Sequence, residues 1–237
     1  DATASRAIST MPQATIIETE VASKANALNI GYELAAKDEP IVCLDADLDI
    51  TVESLRALIE PIISLRSKVS CGHMDVGASD SSTLIRAYYR GWRTNPYFDG
   101  GKFGGVFALS PVAASAVFPL PEVIADDEYV RRSFSVSETA FVSNCRFKVR
   151  APQTLSSLLG VRRRSIRGAR QVTLMGLPNP EHQSTVVLLR RVLHNPKKLV
   201  PVAIYAAINI FVRLQLALER DGSTPRWERD LTTRTAG

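Results

Sequence analysis

The stretch "IVCLDADLDIT", residues 41–51, poses the question that organises the chain. A short apolar run ends in three aspartates, Asp45, Asp47 and Asp49, at every second position. Like charges this close repel one another unless a cation lies between them. An apolar run bounded by polar residues reads as a buried strand. Acids at the carboxyl end of such a strand stand where open α/β sheets bind ligands. Two chemistries use this spacing. Asp45 and Asp47, at i and i+2 of an extended turn, can face one hard cation, and Mg2+ typically takes one or two carboxylates plus phosphate oxygens. Alternatively, "DLDIT" reads as the loop of a phosphate hydrolase, with Asp47 as nucleophile and Asp49 as acid. The plain alternative is that these acids only solvate a turn and lead into a helix capped by Thr51. For Asp49 that plain reading is the better one.

Around this stretch the chain alternates between strand-like and helix-like segments. Residues 14–20, "ATIIETE", are rich in β-branched residues and are expected to form a strand. Residues 23–39 have helical apolar spacing with Ser23 as N-cap. Residues 40–46 read as a strand of the kind buried in a parallel sheet. A helix follows over 51–65, capped by Thr51, with Pro61 as a point where it kinks or splits. Then come a strand over 68–76, a helix over 81–92, and a loop with four glycines that enters a strand at Val106. A short helix follows at 111, then an acid-led helix from Asp126 and one or two strands over 139–153. The alternation predicts an α/β fold with a mostly parallel sheet flanked by helices.

Composition sets broad bounds. The chain has 237 residues, 45% hydrophobic and 22% charged, which suits a folded domain with an appendage rather than a disordered chain. Cys43, Cys71 and Cys145 lie far apart in sequence, so they are expected to be buried thiols in a reducing compartment. With three scattered histidines, structural zinc is not expected. No secretory signal is expected from the opening "DATASRAISTMPQ". The net charge of +5 hides an asymmetry: residues 1–145 hold 12 Lys+Arg and 19 Asp+Glu, whereas residues 146–237 hold 17 and 5. A basic C-terminal part is suited to an anionic partner, a diphosphate or a phospholipid surface. Nucleic acid is not expected, because the basic run lacks interleaved aromatics. Residues 199–218 are apolar except for Asn209, Arg213 and Gln215. That is close to the ~20 residues a bilayer span requires, so a transmembrane or in-plane membrane helix is expected, a buried helix being the alternative.

Five motifs stand in order: "KANALNIG" from Lys24, "DAD" at 45–47, a glycine-rich segment with Gly104 and Gly105, "DDE" at 126–128, and "VRRRSIRGARQ" from Val161. In this order they resemble the family 2 inverting glycosyltransferases of the GT-A fold over about residues 1–175. The resemblance implies a domain at 1–175 and a helical, membrane-associated tail at 176–237. It implies transfer of a sugar, with inversion, from a nucleotide-diphosphate donor to a saccharide or lipid-linked acceptor. The setting would be polysaccharide or glycolipid synthesis at the cytoplasmic face of the cell membrane. It also implies Mg2+ or Mn2+ held by Asp47, with Asp45 on the ribose or the metal shell. Asp127 is implied as catalytic base. Donor contacts are implied for Lys24, Asn29, Arg162, Arg164 and Arg167, and acceptor contacts for Gly104, Gly105 and Asp126. The tail "PRWERDLTTR" is similar to those following membrane segments in such enzymes.

Two departures matter. Val161 and Ser165 stand where the family's Q-x-x-R-W has Gln and Trp, which favours transfer of one or a few sugars over processive synthesis. The opening "DATASRA" looks like the tail of the family's second strand, so the nucleotide pocket is expected to be incomplete within this chain. The alternatives are a Mg-dependent phosphatase of the haloacid-dehalogenase kind and a non-catalytic membrane-bound scaffold with a degraded transferase fold. "KANALNIG" and the arginine run find no place in the phosphatase.

Overall fold

The computed structural model describes residues 3–96, 99, 101–177 and 185–219. Helix α1 (Thr3–Thr10) leads into an irregular stretch, and α2 (Lys24–Leu34) follows. Ser23 caps α2 by accepting a hydrogen bond from the Asn26 amide. Strand β1 (Ile41–Leu44), a three-residue turn and β2 (Leu48–Ile50) come next, then α3 (Val52–Ile63) and β3 (Val69–Gly77). Thr51 caps α3 by accepting from the Ser54 amide, and Pro61 lies inside the helix without splitting it. Helix α4 (Thr83–Trp92), β4 (Lys102–Leu109), α5 (Pro111–Val117), α6 (Asp126–Ser133) and β5 (Thr139–Arg150) complete the body. Three further helices follow: α7 (Leu155–Leu174), α8 (Thr185–Leu193) and α9 (Leu199–Leu218).

The five strands form one sheet in the order β1-β4-β3-β5-β2. It is mixed, not mostly parallel. β3 and β5 run parallel, while β1–β4, β3–β4 and β2–β5 are antiparallel. Alternating strands and helices indicate that helices cover a sheet, but not which strands pair, because pairing is set by contacts far apart in sequence. The strand expected to be buried in a parallel sheet is therefore an edge, hydrogen-bonded antiparallel to β4. Residues 14–20 form no strand, since no partner offers them a ladder. The glycine-rich strand begins at Lys102, earlier than Val106. Asp49 lies within β2, opposite Lys148, rather than in a turn.

The sheet must curl. β1 and β2 stand at its opposite edges, about four inter-strand steps or ~19 Å apart if the sheet were flat. The chain from Leu44 to Leu48 reaches at most ~14 Å, so the two edges are drawn together by the turn that holds Asp45, Ala46 and Asp47. A break in the β3–β5 ladder accompanies the curl: the partner jumps from Val142 to Arg146 between Gly72 and His73. Gly72 lets Cys145 approach there; a Cβ would lie 2.7 Å from the Cys145 sulfur.

Alternation along β4 splits the core across the sheet. Phe107 and Leu109 face α2, α5 and α6 together with Cys43, Val69 and Val130. Val106 and Ala108 face Leu58 and Ile62 of α3, together with Phe147 of β5. A third cluster gathers Ile85, Tyr88 and Trp92 of α4 with Leu158 of α7, and Tyr205 and Ile208 of α9 pack against it. Cys43, Cys71 and Cys145 are free thiols and buried.

Helix α9 crosses α4 at Gly91, where a Cβ would lie 2.2 Å from the Pro201 carbonyl oxygen. Any side chain at that position has to push the helices apart, and overpacking of this kind typically costs about 1–3 kcal/mol. Gly91→Ala is expected to lower stability by about that amount, read as a shift in the urea midpoint, even though alanine is the better helix former.

Candidate active site

Asp45 directly follows β1, and its amide donates to the Gly105 carbonyl at 2.8 Å. Gly105 has φ +94 and lies against the Asp45 side chain; a Cβ there would meet Oδ2 at 2.6 Å. Only glycine lets β4 run this close under the aspartate while adopting that φ. The role of Gly105 is thus to seat Asp45, and Gly104, at φ +40, shares the same unusual backbone.

Lys24, the first residue of α2, bridges two distant parts of the chain. Its ammonium lies 2.7 Å from Asp45 Oδ1 and 3.0 Å from Asp126 Oδ2. Asp126 is buried at 4% exposure, so its carboxylate faces inward. One ammonium thus faces two carboxylates, and the electrostatics follow. Burial works to lower the Lys24 pKa, but Asp126 and Asp45 together outweigh it, so the ammonium keeps its proton well beyond the ordinary range. Burial raises the Asp126 pKa, Lys24 opposes this, and Asp127 and Asp45 add to the rise. Asp126 therefore holds its proton to a higher pH than an ordinary aspartate does. The neighbouring Cys43 thiol is pushed up to about 12 by burial and by the charge of Asp126, and stays neutral.

The loop leading to Asp126 is fixed from two sides. Asn29 of α2 donates to the Leu120 carbonyl at 2.9 Å and accepts from its amide at 2.6 Å. Gln171 of α7 donates to the Glu122 carbonyl at 2.8 Å and accepts from the Ile124 amide at 2.9 Å. Ser23 also donates to the Glu122 carboxylate at 2.9 Å. Gly168 of α7 packs against Ala125, where a Cβ would come within 2.6 Å of its Cβ. Asn29 was expected on the donor; here its amide is occupied by this backbone. Neither Gln171 nor Gly168 was singled out for this role. Both lie within the motif that begins at Val161.

Asp47 is exposed in the turn between β1 and β2. Asp127 is half-buried in the first turn of α6, and one of its oxygens accepts from the Glu128 amide at 2.8 Å. Burial disfavours the Glu128 charge, but hydrogen bonds and charge from Arg131 and Arg132 outweigh it and hold Glu128 below the usual carboxylate range. Among the described residues no group of three or more His, Cys, Asp or Glu gathers as a metal cluster. Asp49 pairs with Arg150 at 3.6 Å on the β2–β5 ladder.

The arginines of α7 turn toward α9. Arg162 donates to Asn209 at 3.1 and 2.9 Å, Arg163 to Gln215 at 3.4 Å, and Arg167 pairs with Glu219 at 2.6 Å. Arg164 is half-buried on the same helix. The structure thus brings Lys24, Asp45 and Asp126 together, with Asn29 and Gly105 as direct supports, while Arg162 and Arg167 are engaged by α9.

No family model matches the chain, and no curated protein matches it. Solved structures do. The mannosyltransferase PcManGT from Pyrobaculum calidifontis, in complex with GDP-Man and Mn2+, aligns with TM-score 0.52 and 17% identity over 95% of this chain and 64% of that one. Glucosyl-3-phosphoglycerate synthase from Mycobacterium tuberculosis, in complex with phosphoglyceric acid, aligns with TM-score 0.49 and 16% identity over 76% and 67%. The chain spans about two thirds of the length of the structures it matches. The curled, mixed α/β sheet with its helices is similar to GT-A glycosyltransferases, and the likeness to the mannosyltransferase is one of fold.

The Asp126 shift carries a pH signature. A carboxyl whose folded pKa lies above its ordinary 3.8 gives up its proton first in the unfolded chain. Its contribution to stability is present below 3.8 and is lost as pH rises through the folded value. Lys24 contributes in the same sense at the alkaline end, above its ordinary 10.5. Asp126→Asn removes the acid-side decline. Urea unfolding from pH 4 toward neutrality is therefore expected to show the variant gaining on the wild type as pH rises. A difference independent of pH would contradict this assignment.

Proposed function

We propose that the chain transfers a sugar from a nucleotide-diphosphate donor to a saccharide or lipid-linked acceptor, with inversion, in polysaccharide or glycolipid synthesis at the cytoplasmic face of the cell membrane. The observation that carries this reading is the convergence of three motifs, "KANALNIG", "DAD" and "DDE", on one ammonium at the seam of the sheet. The likeness in fold to a mannosyltransferase with bound GDP-Man and Mn2+ supports it.

The residues present fit a divalent cation in donor chemistry. Asp47 is an exposed carboxylate and Asp45 a half-buried one two residues away, and phosphate oxygens complete such a set. Asp45 and Asp47 would hold Mg2+ or Mn2+, which when bound supplies Lewis-acid stabilisation of charge on the leaving diphosphate. Lys24 keeps its charge throughout and fixes the orientation of Asp45. Asp127 is the general base. One oxygen accepts the Glu128 amide, and the other takes the proton of the acceptor hydroxyl as that oxygen attacks the anomeric carbon. Acceptor contacts are proposed for Gly104, Gly105 and Asp126, of which Asp126 is buried against Lys24 and Gly105 lies under Asp45. For Arg162 and Arg167 to reach a diphosphate they would leave Asn209 and Glu219.

Asp127→Asn is expected to lower turnover by about 10²–10⁴-fold in the full-length protein. Asp47→Ala is expected to abolish the Mn2+-dependent binding of a nucleoside diphosphate, measured by calorimetry. Normal turnover in either variant would remove that residue from the mechanism.

A further inference from the structure

Helix α9 leaves a mostly apolar side uncovered, while its covered side sets Asn209 and Gln215 among Ile204, Ile208 and Val212. Its inward side carries Tyr205, Asn209, Val212 and Gln215. Asn209 and Val212 are buried, and Asn95 donates to the Tyr205 hydroxyl at 3.3 Å. Asn209 accepts from Arg162, and Gln215 from Arg163. The outward side presents Leu199, Val200, Ile210, Phe211, Leu214 and Leu218, exposed by 49% to 84%. With the exposed Ala203 and Ala207 between them, these recur at helical spacing and form one stripe ~30 Å long. An ordinary surface helix has the opposite polarity. Apolar patches of this extent mark contact surfaces.

The charge at the end of the stripe indicates what covers it. Residues 185–218 contain five Lys+Arg and no Asp or Glu. Where α8 meets the start of α9, a cavity of ≈ 460 Å³ is lined by Val187, Arg190, Arg191, His194, Asn195 and Lys198. Arg191 is held by the Thr94 carbonyl and Asp99, while Arg190, Lys197 and Lys198 are exposed. Leu193, 70% exposed, extends the apolar surface beside them.

We infer that α9 is an in-plane membrane helix. Its outer stripe lies in the acyl boundary of an anionic bilayer, and the exposed Arg190, Lys197 and Lys198 beside it meet the lipid phosphates. By length and composition Pro196–Leu218 could also cross a bilayer. Docking argues against crossing. α9 is flanked by α7, which carries Arg162, Arg163, Arg164 and Arg167, and a docked α9 would carry these guanidiniums into hydrocarbon. In a parallel two-fold contact with a second copy of the chain, the basic rim would face its own like charge. Arg213, exposed among the apolar residues, has a stem long enough to carry its charge back to the headgroups. This inference sharpens the membrane part of the proposed function and uses none of Lys24, Asp45, Asp47, Asp126 or Asp127.

Co-sedimentation of the full chain with phosphatidylcholine vesicles, with and without phosphatidylglycerol, tests it. Binding is expected to the mixed vesicles and to weaken with salt. Phe211→Glu with Leu214→Glu is expected to weaken it at least tenfold while circular dichroism and the thermal midpoint stay at wild-type values. Arg190→Gln with Lys198→Gln is expected to remove the preference for phosphatidylglycerol. In Phe211→Trp, the added fluorescence is expected to be quenched more by lipids brominated near the glycerol end than near the terminal methyl. Unchanged vesicle binding in the double-Glu variant would overturn the inference. So would a concentration-dependent dimer that this variant dissolves without any lipid binding, or quenching strongest at the bilayer centre. Loss of sugar transfer with vesicle binding intact would count against the transferase reading alone.

Discussion

The structure depends on a short tether. Three residues, Asp45, Ala46 and Asp47, join strands at opposite edges of one sheet, and that link is shorter than a flat sheet allows. The sheet therefore curls, the ladder breaks at Gly72, and the tether becomes the seam. A seam carrying two carboxylates needs compensating charge. Lys24 supplies it by reaching from the start of α2 to Asp45, and it binds Asp126 at the same time. The cluster is therefore both a structural closure and a candidate site. Its electrostatics express that tension: a lysine held charged, and a buried acid biased toward its proton.

Much of the remaining structure serves to hold Asp126 in place. The loop before it is bonded through its main chain to Asn29 on one side and to Gln171 on the other. α7 is thus a strut with two faces. Gly168 and Gln171 meet the loop, while Arg162, Arg163 and Arg167 meet α9. An arginine run that reads in sequence as a phosphate clamp serves in the structure to dock an apolar helix by the few polar residues it carries.

Local chemistry was legible in the sequence. Ser23 and Thr51 cap the helices they were expected to cap, and the helical spacings after Lys24, Thr51, Ser82 and Asp126 became helices. These features depend on neighbours within a turn or two. Strand pairing was not legible. β1 reads as a strand buried in a parallel sheet yet lies at an edge against an antiparallel neighbour, and residues 14–20 read as a strand yet form none, because a ladder needs a partner that no local pattern identifies. The expected site was legible in part: "KANALNIG", "DAD" and "DDE" could be picked out as motifs, but not which members face one another.

By itself, the sequence determined the inventory: one lysine, two acidic pairs, a basic helix and an apolar one, each set by residue type and short-range spacing. Tertiary structure alone decided their partners. It set Lys24 between Asp45 and Asp126 rather than beside Asp47 and Asp127, and it turned the polar residues of α9 inward onto the arginines. The physical reason is that charge and hydrogen-bond satisfaction in a buried setting is a global condition. Residues about 21 to 102 positions apart must be brought together before either group can be neutral or paired.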